Sequence, residues 1–297
     1  MPSPDRRRRP PFELRMPAGP AGPLVCSSPH SGRHYPAAFR RLSRLDARSL
    51  RRSEDCHVDG LFAGAPEAGA PLLAARFARA YLDLNRAADE LDPLLFAEPL
   101  PPEARRDSDR VAAGLGVVAR VVASGMPIYS APLPLAEAER RIARIHVPYH
   151  RTLARLLGAA HRRWGWALLV DCHSMPSRGN GAFDGGDQPS DADIVLGDCH
   201  GRSCAPLVMD AATAALREMG YRVVRNVPYA GGYCTSHYGR PAQGIHALQV
   251  EINRALYMDE VTFARAPAFA AIAADMACFV RRLQALDLRR DRALAAE

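Results

Sequence analysis

The sequence contains no lysine, so all 39 of its Lys-or-Arg positions in 297 residues are arginines. The formal net charge of +7 at pH 7 would suit a protein that binds nucleic acid. The arginines are spread along the chain, however, and their one dense run is Arg6–Arg9 near the N-terminus. Because nucleic-acid binders concentrate charge on one face and interleave aromatic residues, we expect no nucleic-acid partner. An arginine-rich polyanion-binding protein remains as the non-enzymatic alternative.

The sequence also lacks an apolar run of the roughly 20 residues that span a bilayer, and no apolar region follows its basic start as in a secretory signal. We therefore expect a cytoplasmic protein without a membrane partner. No two of its seven cysteines form a CxxC pair. We interpret them as packing residues, with thiolate ligands as the alternative. They are Cys26, Cys56, Cys172, Cys199, Cys204, Cys234 and Cys278.

Short apolar runs alternate with helical patterns along the rest of the chain. This alternation predicts an α/β fold in which helices flank a central mixed, mostly parallel sheet. We expect a poorly ordered Arg- and Pro-rich tail over residues 1–20 and a single domain over residues 21–290. The predicted strands are residues 22–27, 72–77, 79–83, 166–170, 194–197, 221–224 and 247–252. The predicted helices are residues 135–160, interrupted or started near Pro148, then 205–220 and 259–286.

Polar residues stand at or just beyond the ends of several predicted strands. They are His30, Arg86, His173 and Glu251, of which Glu251 could also lie within its strand. In sheets of this kind, ligands collect at the loops beyond the carboxyl ends of the strands. We therefore expect these four side chains to gather at one site.

His173 follows five apolar residues, and a neutral imidazole at this position could bind a metal ion while Asp171 accepts a hydrogen bond from the other ring nitrogen. His30 at the end of an earlier strand strengthens this interpretation, although two hydrogen-bonded structural histidines would give the same pattern. Glu251 lies between Val250 and Ile252, and burial would raise its pKa toward that of a general base. An ion pair with Arg254 is the structural alternative for Glu251.

The pair Asn85-Arg86 offers an amide and a guanidinium group that could bind a carboxylate. A surface ion pair between Arg86 and a neighbour such as Asp89 is the alternative. Asn85-Arg86, the two histidines and Glu251 belong to a series of eight ordered motifs within residues 24–280. The motifs are SSPHSG, EDCHVD, YLDLNR, HVPYH, LVDCHS, DIVLGD, NVPYAGGY and ALQVEINRALYMDE.

This series resembles the N-formylglutamate amidohydrolase family, which is itself similar to the zinc carboxypeptidases. The resemblance implies a zinc-carboxypeptidase-like (phosphorylase/hydrolase-like) fold and an enzyme that removes the formyl group from N-formyl-L-glutamate or a similar N-acyl amino acid in histidine breakdown. It implies zinc, or another divalent metal, on His30 and His173, with Asn85 and Arg86 on the substrate carboxylate and Glu251 as the catalytic carboxylate. A metallo-carboxypeptidase or another deacylase of N-acyl amino acids is the alternative activity.

The sequence departs from the carboxypeptidase pattern at Arg33, because those enzymes place a ligand glutamate three residues after the first histidine. An arginine side chain cannot bind a cation, so a site with the usual three protein ligands needs a third ligand from elsewhere. Glu54 and Asp55 are the candidates, of which the resemblance favours Asp55. Ion pairs of these acids with Arg51 and Arg52 are the structural alternative. We further expect Arg33 or His237 to donate to the developing oxyanion. Tyr229 and the pair Gly231-Gly232 suggest a mobile or closely approaching loop at the site, with a tight turn of packed aromatic residues as the alternative.

Overall fold

The computed structural model describes residues 10–122, 125–177 and 192–288, whose main feature is a seven-stranded sheet. The strands of the protein are β1 Phe12–Arg15, β2 Leu24–Ser28, β3 Leu72–Ala75, β4 Val121–Val122, β5 Met126–Pro127, β6 Ala167–Met175, β7 Ile194–Gly197, β8 Val223–Arg225 and β9 Ile245–Asn253. The large sheet has the order β1-β3-β2-β6-β9-β7-β8, and β4 and β5 form a separate antiparallel pair.

The large sheet is mixed but mostly parallel, as the sequence predicts. Strands β3, β2, β6 and β9 run parallel to one another, and β8 runs parallel to β7. The exceptions are β1 at one edge and the β7–β9 pair, which are antiparallel. The helices are α1 Ala37–Leu42, α2 Ala47–Arg51, α3 Val58–Leu61, α4 Asp109–Ala112, α5 Leu135–Arg141, α6 Val147–Trp164, α7 Pro206–Glu218, α8 Tyr233–Tyr238 and α9 Phe269–Gln284.

The central strands are buried on both faces, because successive side chains point alternately into two hydrophobic cores. In β2, Leu24 and Cys26 enter a core that α3, α7 and α9 cover, while Val25 enters the opposite core beneath α1, α5 and α6. The same alternation sends Val170 of β6 into the first core and Leu169 into the second. The sheet is therefore the middle layer of a single α/β domain with helices on both faces.

The face of β6 and β9 that carries Leu169 becomes polar toward the carboxyl ends of the strands. Asp171 and His173 follow at alternate positions of β6, and they pair in register with Gln249 and Glu251 of β9. Strand β6 extends further than we expected, so His173 lies within it rather than beyond its end, and Glu251 lies within β9, as the alternative allowed. Buried polar groups at the rim of a sheet are thereby held on its most rigid elements.

Two further expectations about the strands are wrong. Residues 79–83 form a turn rather than a strand, because the amides of Tyr81 and Leu82 both donate to the carbonyl of Ala78. Within the expected disordered tail, Phe12–Arg15 pair with Leu72–Ala75 as β1. Their alternating apolar and charged side chains suit an edge strand. Residues 1–9 lie outside the described residues.

The predicted helices have the expected order but different limits. Helix α5 is joined to α6 by a π-helical turn at Ile142–His146, just before Pro148 in the first turn of α6. The break near Pro148 that the sequence predicts is thus confirmed. The last helix begins at Phe269 rather than residue 259, because the Asp259 carboxylate accepts hydrogen bonds from following amides and closes a turn. Among the described residues, no helix is long and apolar enough to cross a membrane.

Gly32, in the loop that follows β2, provides a test of how tightly this fold packs. A Cβ atom at Gly32 would lie 2.0 Å from the carbonyl oxygen of Phe77, whereas one at Gly19 would meet nothing within 4 Å. We expect Gly32→Ala to lower the free energy of unfolding by about 1–3 kcal/mol, because backbone segments must move apart. Gly19→Ala is the control for denaturant unfolding. Equal stability of the two variants would contradict the packing described.

Candidate metal centre and active site

Three parts of the chain bring a histidine or a carboxylate to the carboxyl edge of the central strands. His30 lies two residues beyond β2, His173 lies within β6, and Asp55 lies in the loop after α2. The amide of Asp55 donates to the carbonyl of His30 at 3.1 Å, which joins the two loops. All three side chains are buried.

The side chains of His30, Asp55 and His173 form a compact group. Asp55 Oδ2 lies 3.0 Å from Nδ1 of His173 and 3.4 Å from Nδ1 of His30. The two imidazole rings meet edge to face, with centroids 4.7 Å apart. One ligand atom from each residue lies within 4.8 Å of the others, so this buried group could hold a metal ion.

A second carboxylate lies behind each histidine. His30 Nε2 lies 2.7 Å from Asp83 Oδ1, and His173 Nε2 lies 3.1 Å from Asp171 Oδ2. The Asp83 contact favours the proton of His30 on Nε2, whereas Nε2 of His173 also lies 3.2 Å from Nδ2 of Asn85, and the Nδ1 atoms of both histidines are directed at Asp55. Nδ1 of His30 is buried without a hydrogen-bond partner among the described residues. A buried, unpaired nitrogen that faces a carboxylate and a second imidazole is a donor set suited to a divalent cation.

The electrostatics of the group favour a cation at its centre. Burial raises the pKa of Asp55, but its close contacts with His173 and His30 outweigh burial and hold that pKa well below its ordinary value. Burial likewise lowers the pKa of His173, but Asp171 and Asp55 outweigh it and hold the pKa well above the ordinary value. Without a metal ion, His173 is therefore a positively charged imidazolium group at neutral pH. A bound cation would replace one of its two ring protons.

Glu251 lies beside His173 in the neighbouring strand and lines the same cavity. Burial raises its pKa to about 8. Gln249 donates a hydrogen bond from Nε2 to Glu251 Oε1 at 2.9 Å, and no described residue donates to the other oxygen. Arg254, the structural alternative for Glu251, instead donates to Asp55 Oδ1 at 2.9 Å. Glu251 is thus a partly protonated carboxyl group with one oxygen available to a ligand.

A cavity of about 140 Å³ opens above these groups, and arginine is the most frequent residue of its lining. Asn85 and Arg86 both line it. The guanidinium of Arg86 donates to the carbonyls of Leu115 and Asn85, and no carboxylate of the described residues forms an ion pair with it, since Asp89 pairs with Arg105 instead. Burial lowers the pKa of Arg86 to about 10, and the group stays charged at neutral pH. The arginines of the cavity are Arg52, Arg79, Arg86, Arg110 and Arg254.

Sequence reasoning missed several of these lining residues. Arg79 donates to Asp83 Oδ2 at 3.0 Å, and its spacing of four residues from Asp83 was the available signal. Gln249 could have been found from its spacing of two residues from Glu251, which puts both on one face of a strand. Arg52 and Arg110 are exposed, and nothing in their local sequence distinguishes them from the other arginines.

The structure places the remaining candidate residues in different surroundings. Tyr229 lines the cavity. Arg33 points away from it, with its side chain 59% exposed and paired with Asp59. His237 is exposed and stacks on Tyr233 at 4.8 Å, also outside the cavity. Glu54 contacts Tyr35, Arg51 and Cys56 rather than the histidines, so only Asp55 of the two acids joins them.

The cysteines take no part in this group. All seven are free thiols, and all except the half-buried Cys278 are buried. Cys26 and Cys172 pack in the hydrophobic core beneath the site, as the sequence predicts.

A buried pair of carboxylate-backed histidines with an aspartate, beside a glutamate of raised pKa and open to a cationic cavity, is the arrangement of a hydrolytic enzyme. The family model of N-formylglutamate amidohydrolase matches residues 22–258. The chain is 35% identical over 243 residues to an N-formylglutamate deformylase of Pseudomonas aeruginosa, covering 80% of this chain and 83% of that protein. The chain therefore belongs to the N-formylglutamate amidohydrolase family.

Solved structures agree with this assignment. The crystal structure of an N-formylglutamate amidohydrolase from Ralstonia eutropha JMP134 superposes with a TM-score of 0.87 at 39% identity, covering 94% of this chain and 99% of that one. The product of gene Atu2144 from Agrobacterium tumefaciens shares the fold with a TM-score of 0.61 at 20% identity, covering 97% of this chain and 96% of that one.

The raised pKa of Glu251 predicts a pH-dependent stability of the metal-free protein. The folded pKa of about 8 lies above the ordinary 4.5, so unfolding releases a proton between these values and stability falls as pH rises through this window. We expect Glu251→Gln to remove this loss. Between these pH values, the free energy of unfolding of the variant should rise relative to that of the wild type by about 1 kcal/mol per pH unit. The measurement is denaturant unfolding with chelator at several pH values. Exposed Glu103, changed to Gln, is the control, and parallel curves for wild type and Glu251→Gln would contradict the assignment.

Proposed function

We propose that this protein is a zinc-dependent amidohydrolase that cleaves the formyl amide of N-formyl-L-glutamate to formate and L-glutamate. The observation that carries the proposal is the position of Glu251 beside the His30–Asp55–His173 group, at the floor of an arginine-lined cavity. The family to which the chain belongs and the names of its relatives support this choice of substrate.

His30, Asp55 and His173 would hold the metal, with both histidines bound through Nδ1. A zinc ion in such a set lowers the pKa of water and polarises a carbonyl group. Asp83 and Asp171 keep the two imidazole rings in orientation through their Nε2 atoms. Arg254 neutralises part of the charge of Asp55 and prevents that carboxylate from turning away.

Glu251 acts as the general base and then as the general acid. Its available oxygen accepts a proton from the attacking water and returns it to the amine nitrogen as the carbon–nitrogen bond breaks. A carboxyl group whose pKa is raised toward neutrality is suited to both steps. Gln249 holds the other oxygen and so fixes the plane of the carboxyl group.

The substrate carries two carboxylates, and the cavity offers separate cationic groups for them. Asn85 and Arg86 bind the first carboxylate deep in the cavity, where Arg86 is buried and forms no ion pair with an acid of the described residues. Arg110 is the candidate for the second, because it is exposed, lines the cavity and lies close enough to Arg86 to lower its pKa. Tyr229 and the two glycines after it cover part of the same space.

Substitutions should separate the metal ligands from the base. We expect His30→Ala and Asp55→Ala to lose both bound zinc and formate release. Glu251→Gln should keep stoichiometric zinc and lose about 10²–10⁴-fold in kcat, since it removes only the proton transfer. The measurements are elemental analysis of purified protein and formate release from N-formyl-L-glutamate. An active protein without metal, or a fully active Glu251→Gln variant, would refute the scheme.

Arg110 should govern the preference for a dicarboxylic substrate. We expect Arg110→Gln to lower kcat/KM for N-formyl-L-glutamate by about 10–100-fold, the loss that follows when one charge-assisted hydrogen bond disappears. For N-formyl-L-glutamine, which lacks the second carboxylate, kcat/KM of the variant should stay within about two-fold of the wild-type value on the same reasoning. Arg33→Gln is the matched control outside the cavity. An equal loss on both substrates would remove Arg110 from this role.

A further inference from the structure

Two histidines of the HVPYH motif lie one helical turn apart at the start of α6, on the side of the sheet that carries the candidate site. His146 is buried, His150 is half-buried, and their ring centroids are 4.1 Å apart. Neither lines the cavity, so neither touches the substrate in the proposed function. Their polar contacts instead lead to the segment Leu84–Arg86, which carries the proposed carboxylate-binding residues.

Each histidine bonds to a main-chain carbonyl of that segment. His146 Nε2 lies 2.9 Å from the carbonyl oxygen of Arg86, and His150 Nε2 lies 2.9 Å from that of Leu84. No main-chain amide of the described residues donates to either carbonyl. The imidazole N–H groups are therefore the principal donors to these two oxygens, with only a 3.6 Å contact from the thiol of Cys234 in addition.

The histidines are neutral, so each can donate through Nε2 while Nδ1 stays an acceptor. Burial lowers the pKa of His146 and lowers that of His150 to about 3. The hydroxyl of Tyr238 lies 3.0 Å from Nδ1 of His150, where it can donate a hydrogen bond to that nitrogen. Because the carbonyl of Leu84 can only accept, it fixes the tautomer with the proton on Nε2 of His150, and the Tyr238 hydroxyl also contacts the carbonyl of His150 at 3.2 Å.

The same segment is held from its other side by α8. Asn85 Oδ1 accepts a hydrogen bond from the amide of Cys234 at 2.7 Å, and the amide of Asn85 donates to Asp83 Oδ1 at 2.8 Å. The Leu84–Arg86 segment forms a turn without strand or helix pairing of its own. Side chains of α6 on one side and the main chain of α8 on the other therefore fix where Asn85 and Arg86 point.

We propose that His146 and His150 are positioning residues, which hold the carbonyls of Leu84 and Arg86 and thereby set the carboxylate-binding geometry of Asn85 and Arg86. The inference rests on the proposed function of those two residues. Loss of an imidazole donor leaves a carbonyl unsatisfied and frees the turn to shift. A displacement of about 1 Å in a binding group can cost on the order of 100-fold in rate.

The test compares an apolar with a donor-retaining replacement at each histidine. Leu removes the N–H group, whereas the side-chain amide of Gln places a donor at nearly the reach of Nε2. We expect His146→Leu and His150→Leu to raise KM for N-formyl-L-glutamate by about 10-fold or more, with bound zinc retained and kcat changed less. The two Gln variants should have KM values close to that of the wild type. His161→Leu, on the same helix, is the control.

Hydrogen exchange at the amide of Asn85 supplies a readout that does not need activity. A freed turn should exchange this amide faster in the Leu variants than in the wild type, the Gln variants and His161→Leu. If the wild type does not hydrolyse N-formyl-L-glutamate but exchange accelerates as expected, the proposed function fails and the positioning role stands. Unchanged exchange, an unchanged KM in an active enzyme, or Gln variants no better than Leu variants of equal stability would overturn the positioning role.

Discussion

The buried carboxylate of Asp55 is the interaction on which the rest of the site depends. Its two oxygens contact His30 beyond β2, His173 in β6 and Arg254 after β9, so one charge connects three adjacent strands at their carboxyl ends. A buried charge is costly unless partners compensate it, and removal of a single partner exposes that cost. The contacts that balance the charge of Asp55 are therefore the same contacts that hold the three strand ends together.

The charges around Asp55 do not balance by ion pairs alone. The group contains the acids Asp55, Asp83, Asp171 and Glu251, whereas the guanidinium groups paired with them are those of Arg79 and Arg254. Two positive charges are missing, and protons on His173 and Glu251 supply them in the absence of a metal. A divalent cation supplies the same two charges. Metal binding should therefore release protons from the groups that the proposed mechanism needs in their deprotonated form.

The sequence reveals residues of the site where a polar side chain interrupts an apolar strand. His173 and Glu251 were predictable for this reason, and His30 because it follows a buried strand directly. Arg110 was not found, because its place in the cavity depends on how distant loops pack over the sheet, whereas Arg79 and Gln249 were missed although their spacing from Asp83 and Glu251 was a local signal. Arg33 shows the opposite error, since its nearness to His30 in sequence suggested a place in the cavity, while its side chain turns outward to Asp59. The order of strands and helices was predictable from periodicity, but β1 was hidden in a Pro- and Arg-rich segment whose composition resembles disorder.

The use of arginine instead of lysine matters more in the cavity than on the rest of the surface. On the surface, either side chain can keep its charged group in water. In the cavity, two of the five arginines pair with Asp83 and Asp55, and Arg86 donates to carbonyls, with no acidic partner in the described segments. Arg52 and Arg110 form no ion pair within the described parts of the chain. A planar guanidinium can give one edge to the protein and another to a carboxylate, which a lysine ammonium does less specifically. The unpaired positive charge therefore favours an anionic ligand, and its distribution over several separate groups suits the two carboxylates of the proposed substrate.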